Sequence, residues 1–482
     1  MLETCDILII GAGTAGMPCA IEAVAAGARV LVVDQAETVG GTLHVSLGQM
    51  SGAGSALQRA HGIEDSAEAH LADIVRINRG TGRADLLERS VAGQGGTIDW
   101  LMENGFEMDP SCPAILHLHE AYLTARTYWG VEGGVSVLKA VQPLFDAAMA
   151  QENAELRLST RVGRLLTDEA GAVTGAVLED VSTGAHSEVT ARAVVLATGG
   201  YGGNPRLFAR FTGGRPLYTA AMPTSTGAGL EMAEAVGARI VGEDKFLPTC
   251  AGIVSEPGGN RIVWRQIPSL TPQLRQPWEL HLTRGGARFV REDHPSVDAR
   301  EHALDTQPDL SFWCVFDDAI WQEAPPLLPG WTGAELEAAW AGGHPSFRRA
   351  EGLEALAGAT GMAPAALRAA LAGYNVACLG KAPDPMGRAH CPRPIEGPGF
   401  RAILMHGMVL KTPAGLDVDA GLRVRRADGG PIPGLYAVGE AIGGATLSGK
   451  GFVSGMSVTP SLTLGRDLGR RLGETLRAGA PA

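Results

Sequence analysis

The chain has 482 residues, 45% of them hydrophobic and 5% aromatic, with a formal net charge of −12; that length implies two domains, and the acidic balance argues against nucleic acid or an anionic membrane as partner. Seven cysteines lie scattered with no C-x-x-C pair, which argues against a zinc ribbon, an iron–sulfur cluster or a redox disulfide, so no metal is expected. No apolar run reaches the ~18 residues of a membrane span, and the first strand starts almost at Met1, so no signal peptide and a cytoplasmic location are expected.

The first elements read as strand, helix, strand. Asp6-Ile-Leu-Ile-Ile runs into Gly11-Ala-Gly13-Thr-Ala15-Gly16, a helix is predicted over 17–26, and Ala28-Arg-Val-Leu-Val-Val ends at Asp34. The three glycines have distinct jobs at G-x-G-x-x-G spacing: a tight turn, close approach to a pyrophosphate, and close helix–strand packing. The helix N-terminus offers unpaired N–H groups and a positive dipole to phosphates, and Asp34 is placed to accept a ribose hydroxyl. Framed in this way the motif indicates a dinucleotide, and it leaves FAD and NAD open.

A glycine loop follows, with Gly40, Gly41, Thr42, Ser46 and Gly48. Apolar spacing of three to four predicts helices from Ile63 to Leu101, with a glycine stop at Gly105. The segment from His117 to Gly130 gathers His119, Tyr122, Arg126 and Tyr128, two of only six tyrosines in the chain. A helix is predicted over 135–150. Residues 155–195 alternate every second residue and read as antiparallel strands, ending in the strand and turn Ala193-Val-Val-Leu-Ala197-Thr198-Gly199-Gly200. A short helix follows Gly229. Residues 240–375 carry most of the tryptophans and many prolines, with strands expected near Glu279–Val290 and Phe312–Phe316 and helices near Gly333–Ala341 and Pro364–Tyr374. We read the organisation as a dinucleotide domain in two parts, 1–239 and 376–482, with a substrate-covering domain, 240–375, inserted in it.

Three segments carry a family resemblance. The Gly40-Gly41-Thr42…Ser46…Gly48 loop, the Thr198-Gly199-Gly200 turn and Gly434-Leu-Tyr-Ala-Val-Gly439-Glu440 resemble the FAD-contacting segments of the fumarate reductase and 3-ketosteroid dehydrogenase flavoproteins, and the resemblance spans the whole chain. It implies an α/β fold, with a Rossmann-type FAD-binding domain and an inserted α+β substrate-capping domain. It implies FAD contacts from Gly11, Gly13, Ala15, Gly16, Asp34, Gly40, Gly41, Thr42, Ser46, Gly48, Val162, Ala197, Thr198, Gly199, Gly439, Glu440, Ser457 and Val458. The last helix, opened by Ser454-Gly455-Met-Ser457-Val458-Thr-Pro460, would point its N-terminus at the flavin and stabilise its anionic reduced form. Relatives that bind FAD covalently use a histidine directly before the loop threonine. Gly41 stands there, so non-covalent FAD is expected.

Flavin chemistry on a C–C bond needs hydride exchange with N5, a group for the second proton, and an electrophile to polarise a carbonyl. Gly285-Gly-Ala-Arg288-Phe-Val-Arg-Glu292 resembles the family's capping stretch. Four residues on, where fumarate reductases carry a proton-donating arginine and ketosteroid dehydrogenases a tyrosine, the chain has Ser296, with His294 beside it. Lys411-Thr412 occupies the place of a substrate-binding histidine, and Lys450-Gly451 that of a second arginine or a tyrosine. The expected acid–base and catalytic candidates are therefore Tyr122, Tyr128, His294, Ser296 and Lys450. The expected substrate contacts are His119, Arg126, Arg288, Lys411, Lys450 and Gly451. The expected reaction is α,β-dehydrogenation of a cyclic ketone, which could bear a carboxylate, by α-proton abstraction and β-hydride transfer. Electrons would pass to a separate acceptor such as a quinone, oxygen or a redox protein. The alternatives are fumarate reductase-like reduction of an enoic acid, or an electron-transfer flavoprotein with no small substrate.

Overall fold

The computed structural model describes residues 3–478. Its larger sheet has the strand order 423–425, 431–437, 186–196, 4–10, 30–33, 154–157. The central neighbours all run parallel: Ile7 to Ile10 pair with Val30 to Val33 on one side and with Ala193 to Leu196 on the other. Such strands are buried on both faces, which is why they read as continuous apolar runs. Strands 160–167, 173–180 and 186–196 form the expected antiparallel meander. One correction concerns Ala154–Arg157, which instead pairs parallel with Val30–Val33.

The helix Gly16–Ala25 packs against the last helix, Val458–Arg477. Gly465, Gly469 and Gly473 recur every fourth residue, so they form one stripe. A Cβ added at Gly469 would fall 2.1 Å from the Cys19 carbonyl oxygen, and at Gly465 2.4 Å from that of Ala15. The stripe lets the two backbones nearly touch. It thereby sets both helix N-termini at the carboxyl ends of the parallel strands, where open α/β sheets bind ligands.

The second sheet is antiparallel, with the order 249–252, 400–408, 311–317, 280–282, and with 347–350 also paired to 400–408. Its core is rich in aromatic residues, including Phe312, Trp313, Phe316, Phe347, Tyr374 and Phe400. The strands and helices expected between 279 and 374 fall within this unit. The unit is longer than its composition indicates, because its central strand is Phe400–Met408. The chain therefore returns to the first unit after Met408 and not at 376. Composition missed this boundary because 376–399 resembles a linker, yet Asn375, Arg388 and Ile395 are tied into the inserted unit.

The helix Val297–Asp305 of the inserted unit lies against the first unit. Arg79 bonds Asp298 at 2.5 Å, Arg215 donates to the Asp305 carbonyl at 2.7 Å, and His119 Nδ1 lies 3.4 Å from Glu301 Oε1.

Candidate functional site

A cavity of about 290 Å³ runs along the carboxyl ends of the parallel strands. The FAD contacts expected from the sequence line it, except Gly16, Gly40 and Gly48. Those three make room for it instead. A Cβ on Gly16 would fall 1.8 Å from the Gly11 carbonyl oxygen, and one on Gly48 2.4 Å from the Gly133 backbone. Gly40 has φ 108° and donates to the Ala12 carbonyl at 2.9 Å, closing the turn beside the phosphate loop.

The residues fit a dinucleotide. At one end Asp34 accepts from the Ala12 and Ala36 N–H groups at 2.7 and 2.9 Å, which aims its carboxylate along the cavity wall. Nearest neighbour to an added Cβ on Gly13 is the Gly41 Cα at 4.0 Å, so backbone alone borders that stretch. The buried Thr198 hydroxyl lines the cavity without a protein partner. At the far end the exposed Ser457 starts the last helix, whose first N–H groups are unpaired within the helix and face the cavity.

A smaller chamber adjoins this end and shares Thr42, Ser46, Ser225, Leu410, Lys411 and Glu440 with the cavity. Glu440 Oε1 accepts from the Thr412 N–H and hydroxyl, both at 2.7 Å. Burial raises its carboxyl pKa, while Thr412 and Lys411 work in the opposite sense. Lys411 Nζ donates to Ser448 Oγ at 2.5 Å and stands 4.3 Å from the centre of the Phe452 ring. Burial brings this ammonium down to about 8, opposed by the charges of Glu440 and Glu301. On Phe452 the His119 ring also stacks, 3.5 Å between centres. The chamber's other walls are apolar, from Ala220, Ala221, Val409, Leu410 and the Trp264 ring.

Several expected site residues lie elsewhere. Tyr122 is 2% exposed and donates to the Ser454 carbonyl at 2.7 Å; Tyr128 is 0% exposed and bonds Ser55 Oγ and the Gly52 carbonyl. Burial raises both phenol pKa values, which is the wrong direction for a base. Arg126 is buried between Asp65 and Asp73, with bonds of 2.7 to 2.9 Å. Arg288 grips Glu292 and Asp384 inside the second unit. Ser296 caps the helix Val297–Asp305: its Oγ accepts from the Ala299 N–H and donates to Glu120. His294 Nδ1 accepts from the Ser296 N–H at 3.1 Å. Lys450 Nζ is 3.9 Å from Asp305, and Gly451 packs on the Ile77 carbonyl. None of these eight lines either cavity. The residue types suggested chemistry, but Tyr122, Tyr128, Arg126, Arg288, Ser296 and His294 are bonded locally and Lys450 faces Asp305, and sequence does not record that.

Sequence reading missed Trp264, Ser448, Phe452 and Glu301. Phe452 follows the expected Lys450-Gly451, so its neighbourhood was legible. Trp264 sits in a segment with no periodicity to mark it. Glu279, His281 and Cys314 converge in the second unit with ligand atoms within 4.8 Å of one another. Arg275, however, takes both Glu279 oxygens at 3.0 Å. Burial alone would raise the Glu279 carboxyl, but Arg275, His281 and Arg388 together hold it down at about 2. The trio is thus an arginine-neutralised cluster in which a cation would meet two guanidinium groups.

The FAD binding domain family matches residues 6–450. A probable fumarate reductase of Shewanella frigidimarina is 27% identical over 97% of this chain and 74% of its own length. The 4-oxocyclohexanecarboxylate 2-dehydrogenase of Sinomonas cyclohexanicum is 26% identical over 98% of this chain and 93% of its own. In fold, the chain superposes on the 3-ketosteroid Δ1-dehydrogenase of Sterolibacterium denitrificans with a TM-score of 0.78 and 20% identity, covering 98% of this chain and all of that one.

Proposed function

The chain belongs to the FAD binding domain family, and from that membership we propose an FAD-dependent oxidoreductase that desaturates a cyclic ketone beside its carbonyl. The observation that carries this reading is the chamber wall. Lys411 is its one cation, the one acid, Glu440, is bonded to Thr412, and the rest of the lining is apolar side chains and neutral hydroxyls. One ammonium matches one carbonyl oxygen. A dicarboxylate would find no second cation for its other carboxylate on this wall, which leaves that charge uncompensated at a desolvation cost.

When bound, FAD supplies the hydride acceptor. The chain's residues do the rest. Lys411 holds the substrate oxygen and stabilises the negative charge that grows on it as the α-proton passes to the Glu440 carboxylate, the one base on the chamber wall; preorganised donors supply that stabilisation best in a dry site. Ser448 and Phe452 fix the ammonium in place, one by a hydrogen bond and one by its ring face. Ala220, Val409 and Leu410 exclude water and accept a hydrocarbon ring. The second unit, docked through its helix Val297–Asp305, completes the enclosure. Electrons then leave to a separate carrier. The Sinomonas dehydrogenase, by its name, acts on a ring ketone that also bears a carboxylate; it supports the ring-ketone class, while this wall has no second cation for a carboxylate.

Anaerobic titration tests this. Cyclic ketones should bleach the flavin of the oxidised holoenzyme and yield the enone, and fumarate should reoxidise the photoreduced enzyme far more slowly than a cyclic enone does. Rapid reoxidation by fumarate, with no response to any ring ketone, would overturn the proposal in favour of enoate reduction.

A further inference from the structure

The chamber wall holds a second donor that no sequence motif marks. Trp264 begins a short turn, Trp264–Gln266, and its ring packs with Tyr218, Ile267 and Leu410 around Ala220, Val254, Ile262 and Met408. It lines the chamber together with Lys411. Its indole Nε1 is buried and has no hydrogen-bond partner in the protein. A buried N–H left in this state costs folding free energy unless something accepts from it. Nearby, Trp331 meets that demand, donating its Nε1 to the Gln266 carbonyl at 3.0 Å. Trp313 and Trp340 also bury an unbonded N–H, but they lie in the core of the second unit and line neither cavity. Among the described tryptophans, Trp264 alone combines an unanswered N–H with a place on a ligand chamber.

We propose that the Trp264 N–H is the second hydrogen-bond donor to the substrate oxygen held by Lys411, and that this pair selects ring ketones through the single enolate oxygen they develop. This rests on the function proposed above and sharpens its substrate class. An ammonium and an indole N–H converging on one oxygen suit the enolate form of a ring ketone, and equally its stable mimic, a phenolate. The wall's remaining side chains are the apolar Val45, Val409, Leu410, Ala220 and Ala221 and the neutral hydroxyls of Thr42, Ser46, Ser225 and Thr412, with no second cation among them.

The test uses the FAD holoenzyme and 4-methylphenol as a non-reacting probe, followed by the flavin difference spectrum. The wild type should bind the phenol, and Trp264→Phe, which keeps the ring packing, should bind it about tenfold more weakly, the value of one hydrogen bond. In ¹⁵N-tryptophan-labelled protein, the indole resonance missing from Trp264→Phe should move downfield when the wild type takes up phenol. Phenol binding within twofold of wild type in Trp264→Phe, with no shift of that resonance, would overturn the proposal and leave Trp264 as wall. A wild type that binds fumarate but neither phenol nor ring ketone would instead overturn the functional reading on which this one stands.

Discussion

Under the proposed function, Lys411 serves chemistry at the expense of stability. Its ammonium is brought down to about 8 chiefly by burial. Between that pH and the ordinary lysine range the unfolded chain holds a proton that the folded chain has lost, so this residue's contribution to stability rises with pH through the window. Below about pH 8 the folded protein must keep a charge out of water. Lys411→Met should therefore raise the melting temperature most at pH 6–7 and progressively less toward pH 10, by scanning calorimetry. The same variant should retain its flavin spectrum and lose about 10²–10³ in turnover, the usual loss when one electrophilic donor is removed. In the wild type, ketone turnover should fall as pH rises through about 8 if the protonated amine holds the oxygen; a flat profile to pH 10 would contradict that role. Tyr122 makes the opposite case. Buried and bonded to the Ser454 carbonyl, it should behave as structure: Tyr122→Phe should cost about 1 kcal/mol in urea unfolding and leave turnover within a few-fold.

At the scale of elements, the glycine stripe on the last helix decides whether the flavin end of the cavity forms. Gly469 has the Cys19 carbonyl where its Cβ would be. Gly469→Val must push the helix Val458–Arg477 away from Gly16–Ala25, and with it Ser457 and Val458, which line the cavity. A loss of several kcal/mol is expected, in the range of severe overpacking, together with weaker FAD retention on gel filtration. The cap of the helix Val297–Asp305 is a smaller matter. Ser296→Ala removes the acceptor for the Ala299 N–H and should cost about 1 kcal/mol. Its effect on turnover should be slight, because Ser296 does not reach either cavity.

For the molecule as a whole, the two units meet around the site, so cofactor and fold are linked. Only the folded chain assembles strands 4–10, 186–196 and 431–437 with their loops around one cavity. Binding to that state alone stabilises by RT ln(1 + [L]/Kd), roughly 4 kcal/mol at a thousandfold excess over Kd. Stripping FAD should lower the melting temperature by several degrees, and added FAD should restore it without covalent attachment, leaving free flavin in the acid supernatant. No helix among the described residues is long and apolar enough to cross a membrane.

The cofactor site could be read in the sequence because it is built from backbone. Gly11, Gly13, Gly16 and Asp34 work through turn geometry and short-range spacing, and Thr198 and Gly439 sit at the ends of strands whose apolar runs announce them. Such signals are local, and local signals survive in one dimension. The unit boundary at Met408 and the smaller chamber depended on contacts between distant segments. Tyr128, Arg126 and Arg288 had the right chemistry for a site, but Ser55, Asp65 and Glu292 had already claimed their polar atoms. Lys411 and Lys450 looked alike as lysines at family positions. Packing placed one under Ser448 and Phe452 on the chamber wall and turned the other toward Asp305. Trp264 carried no motif at all, and only the fold placed it on the chamber that Lys411 also lines. What a side chain can do is written in its type; whether it is free to do it depends on which partners the tertiary structure brings within hydrogen-bonding distance.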